Sequence, residues 1–81
     1  MRWYSTYKHP DSLNFIIEED ESVGFYVYVY DEYDGFLNDL RDPSGHSSRH
    51  QQDHLQVGLD GATHFASRKF GVPEDSWVEI P

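Results

Sequence analysis

The chain has 81 residues, 15 acidic against 6 basic, a formal net charge of −9, no cysteine, and hydrophobic and aromatic fractions of 37% and 16%. Its length predicts a single domain over residues 1–81, and the absence of thiols excludes disulfides, thiolate metal sites and cysteine nucleophiles. The charge repels phosphate backbones and anionic bilayers, which argues against direct nucleic-acid or membrane binding and favours a basic protein partner.

A domain this short buries only about 60% of the surface its unfolded chain exposes, so a second copy or a partner would add useful burial. Arg2 is followed by Trp3, Tyr4, Ser5 and Thr6 rather than an apolar run, so no signal peptide is predicted. No segment approaches the roughly 20 apolar residues of a bilayer span. The expected location is the cytoplasm.

Residues 2–8 are aromatic and β-branched and end at His9-Pro10-Asp11, which predicts a first strand closed by a turn. Residues 13–19 predict a second strand, with Leu13, Phe15 and Ile17 on one face and Asn14, Ile16 and Glu18 on the other. Glu18 to Gly24 reads as a polar connection. The run from Gly24 to Asp31 then alternates strictly: Phe25, Val27 and Val29 point one way, and Tyr26, Tyr28 and Tyr30 the other. Strands two and three therefore form an antiparallel hairpin whose inner face is aliphatic and phenylalanyl.

Asp31-Glu32-Tyr33-Asp34-Gly35 predicts a tight turn, and Phe36, Leu37 and Leu40 are scattered apolar anchors. Residues 42–52 hold Pro, Gly, Ser, His and Gln without an apolar side chain, which predicts an exposed, flexible loop. In residues 53–57 the Asp53/Gln56 spacing fits a capping box, but the flanking Gly58 and Gly61 favour a short strand. A helix over about 58–70 follows from the stripe Leu59, Ala62, Phe65, Ala66 and Phe70. Arg68 and Lys69 suit its last turn, Gly71 the left-handed stop, and Pro73 forbids continuation. Trp77 to Ile80 returns as a short edge strand or docking tail, with Trp77 over the end of the core.

These elements predict an α+β fold: a three- to four-stranded antiparallel sheet with the one C-terminal helix packed on one face. Such a fold leaves the tyrosine face to solvent, to a second copy or to a partner. Tyr26, Tyr28 and Tyr30, with Tyr4 beside them, are the candidate partner-binding anchors, and Glu18, Glu19, Asp20, Asp31 and Asp34 the candidate steering rim. The plainer alternative is cross-strand pairing on a solvated face, where an aromatic pair adds about 0.2–1 kcal/mol. Aromatic sheets that bind RNA bases add basic residues, and those are missing here.

Catalytic signatures are absent. His46, His50 and His54 recur every four residues with Asp53 adjacent, and on one helix they would share a face. Pro43 and Gly45 and the lack of an apolar stripe leave them no helix to sit on, so no metal and no cofactor is expected. The acidic groups lack the ligand alternation of a calcium loop, and no base is positioned for the serines. The reading is a noncatalytic acidic protein-interaction domain; the alternatives are a structural homodimer and a histidine-based metal protein or enzyme.

The layout from Phe15 to Ala66 resembles the small sheet-plus-helix domain of HicB-type antitoxins. The shared features are a strand with an acidic end, a hairpin into Gly24-Phe25-Tyr26-Val27, the Asp31–Gly35 turn, a strand near Leu55-Gln56, and the helix start Leu59-Asp60-Gly61-Ala62. Residues 42–52 are inserted relative to that family, and Tyr30-Asp31 stands where a proline-containing turn is usual. The second half also resembles small uncharacterised bacterial proteins in which Asp53, Leu55, Leu59, Ala62, Ala66, Phe70-Gly71-Val72 and Asp75-Ser76-Trp77 recur. Both resemblances place residues on a scaffold and carry no activity with them; the expected role is binding a basic toxin or nuclease in the manner of a bacterial antitoxin or immunity protein.

Overall fold

Strict alternation of side-chain type over residues 13–31 produces the centre of the molecule. The computed structural model describes residues 1–32 and 52–80. Strand β2 (Leu13–Asp20) and strand β3 (Gly24–Asp31) pair antiparallel along their whole lengths, from Leu13 opposite Asp31 to Asp20 opposite Gly24. The turn between them is tight because Asp20 closes it twice. Its carbonyl accepts from the amide of Val23 at 3.2 Å, and its Oδ1 from that of Ser22 at 2.9 Å. β2 takes in Glu18 and Glu19, as the strand expected over 13–19 does, and Asp20 besides, so the polar connection expected from Glu18 shortens to residues 21–23.

Strand β1 (Arg2–Ser5) pairs with β2, β4 (Gln52–Gln56) with β3, and β5 (Trp77–Ile80) with β1, all antiparallel. The spatial order is β4-β3-β2-β1-β5, a five-stranded sheet among the described residues. The three- to four-stranded expectation is too low, because the segments at 53–57 and 77–80 both pair. The first strand is shorter than residues 2–8. It stops where the Ser5 hydroxyl accepts the Tyr7 amide at 3.1 Å, a local bond that competes with the ladder.

Helix α1 spans Leu59–Phe70, close to the predicted range. Gly58 precedes it without a side-chain cap, and Asp60 places a negative charge in its first turn. Gly71, at φ 74°, adopts the left-handed stop, its amide bonding to Ser67 O at 2.9 Å while that of Val72 reaches Ala66 O at 3.3 Å. Val72 is then driven into the core. Ala62 and Ala66 of α1 share one buried cluster with Phe15, Ile17, Val27 and Val29, and Trp3, Tyr7, Phe65, Phe70 and Trp77 pack around it. A second cluster lies on the other face: Ile16 and Tyr30, flanked by Tyr4, Tyr28 and Ile80.

Phe36, Leu37, Leu40, Asp34, His46 and His50 fall outside the described residues, as does residues 42–51 of the predicted loop. Gln52, expected as its last residue, opens β4. Among the described residues no helix is long and apolar enough to cross a membrane.

Candidate functional site

Register fixes what the sheet presents on the face that carries the second cluster. One row across the strands runs Ile80, Arg2, Glu18, Tyr26, Leu55; the next runs Val78, Tyr4, Ile16, Tyr28, Asp53; Asn14 and Tyr30 follow. β2 separates β1 from β3. Tyr4 therefore meets Ile16 across the ladder instead of sitting directly beside the tyrosines of β3.

The tyrosines share the expected face but not the expected exposure. Tyr26 and Tyr28 are half-buried and stacked, with ring centroids 5.7 Å apart and planes at 21°. Tyr30 is 1% exposed and Ile16 wholly buried. Tyr30 is thus corrected from surface anchor to core residue, because its ring packs with Ile16 inside the second cluster. Leu55 and Val78, at 48% and 42% exposure, are the apolar side chains on this face that face outwards most. Neither is among the expected anchors, although the alternation His54-Leu55-Gln56 and Trp77-Val78-Glu79 already separates them from their neighbours.

The acidic rim also divides by parity. Glu18 and Asp20 lie on the tyrosine face, and Asp53, opposite Tyr28 on β4, joins them. Glu19 and Asp31 alternate onto the other face and are corrected accordingly. Glu19 Oε1 stands 3.8 Å from the N-terminal amine. Together the carboxylates act on one phenol: burial first, then Glu18, Asp53, the Tyr26 hydroxyl and Asp20 push the Tyr28 pKa above its usual 10.0. A negative field therefore converges on Tyr28.

His54 has a packing role. It lies opposite Val27 on β4, its ring 4.8 Å from that of Phe65 and 6.1 Å from that of Phe70, and its Nε2 stands 3.0 Å from Gln52 Oε1. Burial, and then the charge of Lys69, lower its pKa below 6.5, with Asp53 opposing them. Among the described residues no three histidines or carboxylates gather as metal ligands.

The buried serine belongs to a structural relay. Ser76 donates to Pro73 O at 2.6 Å, so its single proton is used and the 2.8 Å contact with Ser5 Oγ runs from Ser5 to Ser76. Ser5 in turn accepts from the Tyr7 amide. The chain ends on a carbonyl, with no histidine to accept a proton, and it clasps the approach to β5 onto the end of β1.

Comparison with known proteins gives no match: no family model, no curated protein and no solved structure corresponds to this chain.

Proposed function

We propose that the chain is a noncatalytic acidic interaction domain that binds a basic protein through the sheet face bearing Tyr26 and Tyr28, as an antitoxin- or immunity-like inhibitor in the bacterial cytoplasm. One observation carries this reading: Tyr28 of a stacked, half-exposed tyrosine pair lies in the field of Glu18, Asp20 and Asp53, with exposed Leu55 alongside. Tyrosine supplies rigid amphipathic contact area, and the surrounding carboxylates steer a positively charged surface towards it. The reading takes α1 as the cover of the opposite face. Self-association is the competing use of the same face. Charge argues against it, since two chains at −9 each repel at low salt.

The test pairs capture with substitution. Tagged protein is used to isolate partners from a bacterial lysate, and the basic protein recovered is titrated against wild type and against Tyr26→Ser/Tyr28→Ser/Leu55→Ser. The variant is expected to bind at least about tenfold more weakly and to fold as wild type does. Unchanged affinity, or partners without basic character, would reject the proposal. A molar mass that doubles with concentration in wild type and not in the variant would assign the face to self-association.

A further inference from the structure

Basic residues are scarce in this chain, and two of the six, Arg68 and Lys69, stand together in the last turn of α1. The helix dipole favours cations there. It does not account for what lies beside them. A cleft of about 430 Å3 opens between α1 and the end of β4, lined by Gln56, Gly61, His64, Phe65, Arg68 and Lys69.

Phe65 forms the apolar wall of this cleft, and its ring is held by the rings of His54 at 4.8 Å and Phe70 at 6.4 Å. Lys69 Nζ lies 6.0 Å from the centroids of both Phe65 and Phe70, so the ammonium stays over aromatic surface. His54, beneath it, registers the positive charge of Lys69. Of the remaining groups lining the cleft, His64 is turned towards Glu74, its Nδ1 3.7 Å from Glu74 Oε1. Arg68 and Lys69 are the groups left to meet an anion.

Gly61 is the second, independent observation. A glycine inside a helix costs roughly 0.5–1 kcal/mol relative to alanine, and it is normally kept for a left-handed backbone or a close approach. Neither applies. Gly61 is not among the glycines with positive φ, and a Cβ built there meets nothing within 4 Å. Gly61 lines the cleft, and the space its side chain would take is open.

We infer that this cleft binds a small organic anion: an apolar body of about one ring lying on Phe65 beside Gly61, with its carboxylate or phosphate held by Arg68 and Lys69. The volume is in the range of small-molecule sites, about 300–1,000 Å3. Opposite charges separate this site from the acidic sheet face, so the two proposals stand independently.

The test titrates phenylacetate and phenyl phosphate into the 15N-labelled full chain, with 2-phenylethanol and inorganic phosphate as controls. The amides of Gly61, Phe65, Arg68 and Lys69 are expected to shift and saturate with an aromatic anion, the two anions distinguishing carboxylate from phosphate recognition. Either control should bind at least about tenfold more weakly, a difference of about 1.4 kcal/mol. Gly61→Leu fills the cleft and replaces a helical glycine, so it should unfold no more easily than wild type yet bind at least about tenfold more weakly. Arg68→Gln/Lys69→Gln should lose the preference for the anion over 2-phenylethanol, and this variant decides the matter if Gly61→Leu fails to fold. Absence of saturation with both aromatic anions, an undiminished Gly61→Leu, an Arg68→Gln/Lys69→Gln variant that keeps the preference, or inorganic phosphate binding as well would each overturn the inference.

Discussion

Tyr28 and Tyr30 stand two residues apart on the same face of β3 with ring centroids 6.4 Å apart, yet Tyr28 is half-exposed and Tyr30 is sealed to 1%. Ile16, wholly buried opposite Tyr28, packs with Tyr30 in the same cluster. The tyrosine face thus has a dry end and a wet end, and stability and binding divide between them.

That division predicts opposite behaviour from chemically identical substitutions. Tyr30→Ala removes a large buried ring from the second cluster and should destabilise the fold by about 3–5 kcal/mol, the range for large-to-small aromatic changes in cores. Tyr26→Ala, from a half-exposed stack, should cost under about 1 kcal/mol. Urea unfolding of the two variants checks this, and similar midpoints would contradict it.

Glycines should differ in the same way. Gly24 has φ 137°, and a Cβ there would sit 2.5 Å from the carbonyl oxygen of Gln56 on β4. Gly24→Ala must therefore strain the backbone and push β4 away from β3, costing on the order of 1–3 kcal/mol or more. Gly61→Ala has open space and a helical backbone, so it should stabilise by about 0.5–1 kcal/mol. Thermal unfolding should move down for the first and up for the second.

How much of this was legible in the sequence depends on which interactions are local. The hairpin is written in the alternation from Leu13 to Tyr30, and the helix end in Arg68, Lys69, Gly71 and Pro73, because pleat and cap are read over a few residues. Segments 53–57 and 77–80 were legible as strand candidates but not as neighbours of β3 and β1, since pairing partners more than 20 residues away leave no local mark. Of the candidate site, the shared face of Tyr26 and Tyr28 could be read off directly. The burial of Tyr30 could not, because alternation assigns a face and says nothing of what packs on it. Glu19 and Asp31 fall on the opposite face for a simpler reason: strand parity, and not charge, decides the side a carboxylate takes.

The Ser5 relay offers a prediction about the edge of the sheet. Ser5→Ala would leave the Tyr7 amide without its acceptor and Ser76 without its donor, in a site where Ser5 is only 8% exposed. Loss of buried hydrogen bonds costs about 1–3 kcal/mol, and here the loosened element is β5. Hydrogen exchange should accelerate at residues 77–80 more than at the β2–β3 hairpin. Uniform acceleration would mean that the relay supports the whole fold instead of its last strand.

His54 gives the molecule a predicted acid-side sensitivity. Protonation places a cation in a partly buried site against Phe65 and near Lys69, and only Asp53 opposes those effects, so the folded pKa lies below the ordinary 6.5. The unfolded chain then binds the proton more readily than the folded one. The stabilising contribution of neutral His54 is complete above the unfolded pKa and is lost as pH falls through the folded value. Melting temperatures of wild type and His54→Gln, measured from about pH 7.5 to about pH 5, should therefore converge as the pH drops, since glutamine cannot be protonated in this range. Any packing lost with the imidazole adds an offset that is constant with pH and leaves this convergence intact. Two curves that run parallel through the interval would show that His54 titrates alike in both states and exerts no control over stability.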